Sequence, residues 1–332
     1  MSAPEADWEA ATELLTRHDD VVLTCHVGPD GDALGSMLAL GIALRQRGCK
    51  VRASWGSEPF EVPAVYASLP GLDLLVPASD VPEAPDLLCA FDTGSVDRLG
   101  SLQDRVPAAK DVLVVDHHAS NTRFGTVNLV DPQAAATAVV VVGLLDRLGL
   151  PLTAEVAAPV YTGLVTDTGS FKYAATTPEV HELAARLLAT GIQHDRISRE
   201  IWDTAPFGYV QLLGAVCSRA VLEADALGLV WTTVTAEDYA ATGLGLADVE
   251  GVIDVLRTAV EAEVACVIKH DPADGTLKVS TRSKGRIDVG AVCVALGGGG
   301  HRFAAGFTSY DGVTATVGRL RDQLSRAPHL PA

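Results

Sequence analysis

The sequence predicts a two-domain α/β protein, and three observations carry that expectation. Short apolar β-forming runs alternate with stretches of helical periodicity through the first half of the chain. A less apolar, helix-patterned stretch follows them. Beyond it a second alternating set begins, and 332 residues suffice for two domains of ordinary size.

Residues 21–25 (VVLTC) read as the first strand. A Gly/Asp turn and a helix from about 33 to 47 follow, with Leu34, Met37, Leu38, Gly41 and Ile42 at helical spacing and Gly48 where a C-terminal cap belongs. KVRASW (50–55), DLLVPA (73–78), DLLCAF (86–91) and DVLVVD (111–116) read as further strands. Runs this apolar fit strands buried on both faces, as in a mainly parallel sheet flanked by helices. Helices are expected over 134–148 and 155–165, and another from Thr177 as cap with Pro178 in its first turn. The pattern stays helical but less apolar from about 186 to 219. The expected division is a first domain over 1–190, a helical linker over 191–220 and a smaller α/β domain over 221–330. In the latter, strands are expected near 228–234, 263–269 and 277–281, and helices near 248–260, 288–296 and 313–326. No internal repeat or low-complexity segment interrupts this plan.

Composition narrows the function. Hydrophobic residues make up 48% and charged residues 20%, enough to bury a substantial core. The longest nearly apolar run, 134–145, is too short to cross a bilayer, so no membrane role is expected. The amino-terminal MSAPEADWEAA is acidic and has no apolar core, so it is not read as a secretory signal. Six scattered cysteines, most among apolar neighbours, fit reduced thiols in a cytoplasm. A net charge of −17 opposes binding of long or duplex nucleic acid, which is held by many phosphate contacts from a basic surface. A substrate carrying phosphate should be short and gripped locally.

Chemistry-bearing residues recur after the apolar segments. His26, Asp30 and Asp32 stand in HVGPDGDALGS, Asp92 in DTGSVDRLG, Asp116, His117 and His118 in DHHASN, and Asp167 in VTDTGSF after the apolar segment 160–165. Open α/β sheets place their sites at the carboxyl ends of strands, so these residues should converge. Converging carboxylates repel and raise one another's pKa values unless something neutralises them. Two divalent cations match the charge of Asp30, Asp32, Asp92 and Asp167. Histidine among oxygen ligands favours Mn2+ over Mg2+, with Co2+ also compatible. Asp30 and Asp32, read as extended backbone, would face the same side. Taken singly, DHH and PDGD are common loop sequences; the set is far more specific than its parts. His18, His181, His194 and His270 lack such context and read as surface or capping residues.

The second domain carries GGGGHRFAAGF, with Gly299, Gly300 and His301, and upstream STRSKGR, with Arg282, Ser283, Lys284 and Arg286. Each stretch alone reads as a flexible turn or a solvated hairpin. Together they look like a small anion grip, since glycines let backbone N–H groups approach a ligand closely.

HVGPDGDALGS, DTGSVDRLG, DHHASN, DTGSF and GGGGHRFAAGF, in that order, resemble the DHH phosphoesterase superfamily with a C-terminal DHHA1 domain. The spacing is most similar to the oligoribonuclease (nanoRNase) and phosphoadenosine-phosphate phosphatase branch, which includes actinobacterial phosphodiesterases of linear and cyclic dinucleotides. The resemblance runs from about residue 21 to 307 and implies a DHH catalytic domain across a cleft from a DHHA1 substrate-binding domain, usually as a homodimer. It implies that His26 and Asp30 bind one Mn2+, that Asp32, His117 and Asp167 bind a second, and that Asp92 bridges both. Asp116 would orient a neighbouring ligand, and His118 would contact the scissile phosphate or its leaving oxygen. Arg282, Ser283, Lys284 and the Gly299–Gly300–His301 turn would hold the far part of the substrate.

The expected activity is two-metal hydrolysis of very short oligoribonucleotides such as pApA and pGpG to mononucleotides, with dephosphorylation of 3′-phosphoadenosine 5′-phosphate. Direct opening of cyclic di-AMP is a further expectation. A manganese pyrophosphatase or exopolyphosphatase would share the first domain's motifs, but GGGGH and RSKGR argue against it. A non-catalytic nucleotide sensor would not need so many mutually repelling acids.

Overall fold

A computed structural model describes residues 2–223, 228–328 and 330. The chain divides into two units, Met1–Thr204 and Ala205–Ala332. The stretch read as a linker holds two helices, α6 (His194–Trp202) in the first unit and α7 (Phe207–Ser218) in the second.

The first unit is built on a parallel sheet of β1 (Asp20–Cys25), β2 (Lys50–Ser54), β3 (Leu87–Phe91), β4 (Asp111–Asp116) and β5 (Val127–Val130), in the order β2-β1-β3-β4-β5. Every residue of β3 is buried, as are all but the first of β1 and β4. Alternate strand residues feed different cores, the pleat sending neighbours to opposite faces. Val21, Leu23 and Cys25 meet α1 (Glu5–Arg17), α2 (Gly31–Gln46), α3 (Thr137–Arg147) and α4 (Ala154–Asp167). Val22 and Leu88 meet Leu99 and Leu102 of a 3-10 segment on the other face. Apart from Arg45 and Gln46 at its end, α2 is buried throughout. It is hydrophobic all round because it lies between the sheet and α4.

Several local expectations change. DLLVPA forms a 3-10 turn, Leu72–Leu74, joined to β2 by one bridge from Leu75 to Ala53, and Pro77 has no N–H to extend a ladder. α1 and the four-residue β5 were unread. His18, of the two readings it was given, takes that of a cap: it ends α1 and is buried beside Asp111, 3.0 Å from its Oδ2.

The second unit has a mixed sheet of β6 (Val221–Glu223), β7 (Leu229–Val234), β8 (Val264–His270), β9 (Leu277–Ser283), β10 (Gly299–His301) and β11 (Ala304–Ser309), ordered β10-β11-β9-β8-β7-β6. Among the described residues only the β7–β8 pairing of this sheet is parallel. Val264, Cys266 and Ile268 pack toward α10 (Val289–Ala295) and α11 (Val313–Leu324); Ala265 and Val267 pack toward α7, α8 (Ala236–Thr242) and α9 (Val252–Leu256). The helix expected over 248–260 is the 3-10 turn Leu246–Val249 followed by the short α9. All six cysteines are unpaired, and no helix among the described residues is long and apolar enough to cross a membrane.

Candidate metal centre

β2 flanks β1 on one side and β3 on the other, so the sheet's order switches between β1 and β3. A parallel α/β sheet opens its ligand crevice there, beyond the carboxyl ends of the strands. His26 follows β1, Asp92 follows β3, and Asp116 ends β4 just before His117 and His118. Two acids arrive differently from the sequence reading. Asp30 is the N-cap of α2, its Oδ1 accepting from the amides of Asp32 (3.1 Å) and Ala33 (3.0 Å), so Asp32 stands in a helical first turn and not on extended backbone. Asp167 is the last residue of α4, the helix expected over 155–165.

Among the described residues of the first unit three ligand groups form, each with one donor atom per residue within 4.8 Å of the others: His26–Asp30–Asp92, Asp32–Asp92–His117 and Asp92–Asp116–His118. Asp92 belongs to all three. Its Oδ2 lies 3.6 Å from His26 Nε2, while its Oδ1 lies 3.6 Å from His117 Nε2 and 3.5 Å from His118 Nδ1. The two oxygens of one carboxylate thus face different groups. Asp167 Oδ2 stands 3.3 Å from His117 Nε2, on the second of them. Asp92 adopts φ 52°, a left-handed conformation unfavourable for a residue with a Cβ. Its amide is held by the Val115 carbonyl at 3.1 Å. Such strain persists where the surroundings over-determine it, as at functional sites.

Asp116 plays a different part. Its Oδ1 accepts from the amides of His117 (2.8 Å) and His118 (3.2 Å) and from His118 Nδ1 (2.7 Å), and its Oδ2 accepts from Asn121 Nδ2 (2.6 Å). A carboxylate so fully engaged orients neighbours and has little capacity left to hold an ion.

Asp32 is fully buried, and helix packing puts it there. A Cβ on Gly35 would lie 2.3 Å from the Pro159 carbonyl oxygen, so only glycine lets α2 approach α4 this closely. Toward α3, Asp32 Oδ2 accepts the Thr137 amide (2.6 Å) and its Oδ1 accepts the Ala138 amide (2.9 Å). These are first-turn amides of α3, whose positive dipole end favours a carboxylate.

In the second unit Arg282 sits near the end of β9, its Nη1 donating to the Thr281 carbonyl at 3.1 Å. Ser283 is buried. Its hydroxyl donates to Glu263 Oε1 (3.1 Å) and accepts from the amides of Gly285 and Ile287, so it braces the loop from within. Lys284 Nζ donates to the Ala259 carbonyl, and Arg286 Nε donates to Glu263 Oε2 at 3.0 Å. Gly299, Gly300 and His301 form β10 against β11, so the glycine run is a hairpin edge and not a slack turn. A Cβ on Gly300, whose φ is 134°, would lie 2.6 Å from the Ala305 Cα, whereas one on Gly299 would meet no atom within 4 Å. His301 is exposed.

Residues 20–164 match the DHH family, N-terminal domain, and residues 239–327 match the DHHA1 domain. Over 343 aligned residues, 99% of each chain, the sequence is 36% identical to the bifunctional oligoribonuclease and PAP phosphatase NrnA of Thermus thermophilus. The chain belongs to the DHH family. A protein of the same description from Bacillus subtilis is 25% identical over 90% of this chain and 93% of its own. The solved structure of an exopolyphosphatase-related protein from Bacteroides fragilis superposes with a TM-score of 0.88, at 24% identity and over 98% of this chain and 97% of that one. RecJ from Thermus thermophilus, solved with Mn2+, gives 0.56 at 15% identity over 97% of this chain and 55% of its own. Both share the fold.

The electrostatics of this DHH domain call for positive charge. Burial opposes a charged His26, but Asp30 and Asp92 beside it outweigh that and raise its pKa to about 10. Burial and then Asp92 push Asp32 up to about 7, and burial with Asp32 and Asp92 pushes Asp167 well up. His117 rises against its burial because Asp32 and Asp92 face it. Ring orientation adds to this. His26 Nδ1 lies 3.0 Å from the Val27 carbonyl and His117 Nδ1 3.2 Å from the Ala134 carbonyl. A carbonyl can only accept, so both rings place N–H at Nδ1 and turn Nε2 toward the carboxylates. Those Nε2 atoms stand 3.3–3.7 Å from the carboxylate oxygens, and a cation taking the place of the proton the acids favour would meet both. That arrangement fits cations shared between them. Oxygens with imidazole, and no thiolate, form a donor set suited to divalent metal ions.

The sequence reading missed Thr137, Ser36 and Asn121. Ser36 Oγ donates to Asp32 Oδ1 at 3.2 Å, and Asn121 ties Asp116 to the Thr93 carbonyl. Asn121 lies within the quoted DHHASN and was available as a signal. Nothing in AAATA marked Thr137.

Proposed function

We propose that this chain is a Mn2+-dependent phosphoesterase. It hydrolyses very short oligoribonucleotides such as pApA and pGpG to mononucleotides and removes a phosphate from 3′-phosphoadenosine 5′-phosphate. The observation that carries the reading is the single carboxylate, Asp92, shared by two ligand groups that face its separate oxygens. The 36% identity to the Thermus thermophilus oligoribonuclease and PAP phosphatase supports the substrate class. A cyclic-di-AMP phosphodiesterase from Geobacillus thermodenitrificans, 26% identical over 96% of this chain and 49% of its own, supports cyclic di-AMP as a further substrate. Unpaired cysteines suit a cytoplasmic setting, and a homodimer accompanies the reading.

His26 and Asp30 hold one ion, and Asp32, His117 and Asp167 the other, with Asp92 serving both. Bound there, the ions supply Lewis acidity toward the phosphoryl oxygens and toward the attacking water. The chain's own residues do the rest. Asp116 fixes His118 by its Nδ1, so Nε2 is the nitrogen that can hold or move a proton at the phosphate or its leaving oxygen. In the DHHA1 domain Arg282 and His301 are the residues assigned to nucleotide binding. Ser283, Lys284 and Arg286 shape that loop through Glu263 and Ala259.

The test offers the purified protein, with Mn2+ and with EDTA, pApA, a longer RNA, 3′-phosphoadenosine 5′-phosphate, cyclic di-AMP and pyrophosphate side by side. Mn2+-dependent release of mononucleotides from pApA, faster than from the longer RNA, is expected. Nucleotide binding with no metal-dependent turnover would favour a sensor, and preferential release from pyrophosphate a pyrophosphatase.

A further inference from the structure

Thr137 is fully buried at the start of α3 and touches two acids of the centre. Its Oγ1 donates to Asp92 Oδ1 at 2.9 Å, and its amide donates to Asp32 Oδ2 at 2.6 Å. The hydroxyl reaches the Asp92 oxygen that faces His117, while Oδ2 faces His26. Asp92 therefore has one face braced by a side chain of α3. Its carboxyl plane, and the split of its two oxygens between the ligand groups, depends on that brace.

We propose that Thr137 is a positioning residue for the shared carboxylate, fixing Asp92 Oδ1 for the ion of the Asp32–His117 group and leaving the ion of the His26–Asp30 group largely unaffected. The inference rests on the two-ion reading above. The hydroxyl satisfies one lone pair of Oδ1 and leaves another directed at the group. It also lets Thr137 set Asp32 and Asp92 together, because one residue donates to both. Removing such a partner of a ligand typically weakens ion binding 10- to 100-fold, and here the loss should fall on one ion of the pair.

Thr137→Val keeps the side chain's shape and the amide while deleting the hydroxyl. Mn2+ titration by calorimetry, with electron paramagnetic resonance reading the spin-coupled pair, counts the ions in wild type, Thr137→Val and Thr137→Ser. Thermal unfolding in EDTA reads the fold without metal. Wild type should bind two ions per chain. Thr137→Val should bind one with unchanged affinity and the other about 10- to 100-fold more weakly, losing the pair signal, and Thr137→Ser should restore it. Equal weakening of both ions, or none, overturns the inference while leaving the two-ion reading intact. A wild type that binds no Mn2+ sinks both. If Thr137→Val does not fold, Thr137→Ala against Thr137→Ser makes the same comparison.

Discussion

In Gly35→Ala the added Cβ would lie 2.3 Å from the Pro159 carbonyl oxygen and 3.1 Å from the Gly163 amide nitrogen, both backbone atoms of α4. Helix propensity alone favours the change by up to ~1 kcal/mol. The contact works against it. Overpacking costs ~1–3 kcal/mol, and backbone atoms cannot swing aside as the tip of a long side chain can. The difference is a net destabilisation of up to about 2 kcal/mol, with α2 and α4 forced apart by about 1 Å to recover van der Waals spacing. Asp32 lies less than one helical turn before Gly35, so the same movement draws its carboxylate away from the Thr137 and Ala138 amides. Gly318→Ala in α11 is the control. A Cβ there meets no atom within 4 Å, so it should stabilise by about 0.5–1 kcal/mol. Hydrogen-exchange mass spectrometry reads the two regions separately, and Mn2+ titration follows the site. Faster exchange in α2 and α4 with weaker Mn2+ binding is expected for Gly35→Ala, and slower exchange in α11 for Gly318→Ala. Greater protection of α2 in Gly35→Ala would refute the close-approach argument.

Asp116→Asn puts an amide where donors converge, so His118 should lose its orientation. Turnover of pApA should fall about 10- to 100-fold with two Mn2+ still bound, and loss of an ion would show Asp116 to be a ligand after all. Arg282→Ala should raise KM for pApA roughly 10-fold or more, the scale of a hydrogen bond to a charged group. Its effect on bis-p-nitrophenyl phosphate should be far smaller, and equal losses on both esters would remove Arg282 from the substrate grip. Burial alone would raise the Glu263 pKa, but the Arg286 amide and guanidinium and the Ser283 hydroxyl hold it below its usual value. A depressed carboxylate stabilises above its unfolded pKa of about 4.3, and the effect is lost as pH falls through the folded value. Acid unfolding of the second unit should therefore flatten below about pH 4.3 in Glu263→Gln; an unchanged acid limb would contradict this.

What the sequence revealed depended on burial on both faces and on punctuation. β1, β3 and β4 read directly because each lies inside a parallel sheet and is apolar at nearly every position. The residues that end them, His26, Asp92 and the DHH run, were legible for the same reason. β5 was not, since VNLV is too short to show a period. Asp30 and Asp32 were placed on extended backbone because PDGD reads as a turn; the cap that Asp30 supplies begins the helix two residues earlier than expected. Asp167 was legible at the end of the helix expected over 155–165, which the structure extends by two residues to include it. Thr137 was invisible because its role is a contact with two acids 105 and 45 positions away. In RSKGR the charges were visible, whereas the buried Glu263 that commits Ser283 and Arg286 to the loop was not.

The position of bound Mn2+ tests the shared role of Asp92 most directly. Anomalous diffraction at the manganese edge from crystals grown with Mn2+ should give two peaks in the first unit. One should be bounded by His26 and Asp30, the other by Asp32, His117 and Asp167, with Asp92 between them. No peak among these side chains, or peaks only on the surface, would contradict it.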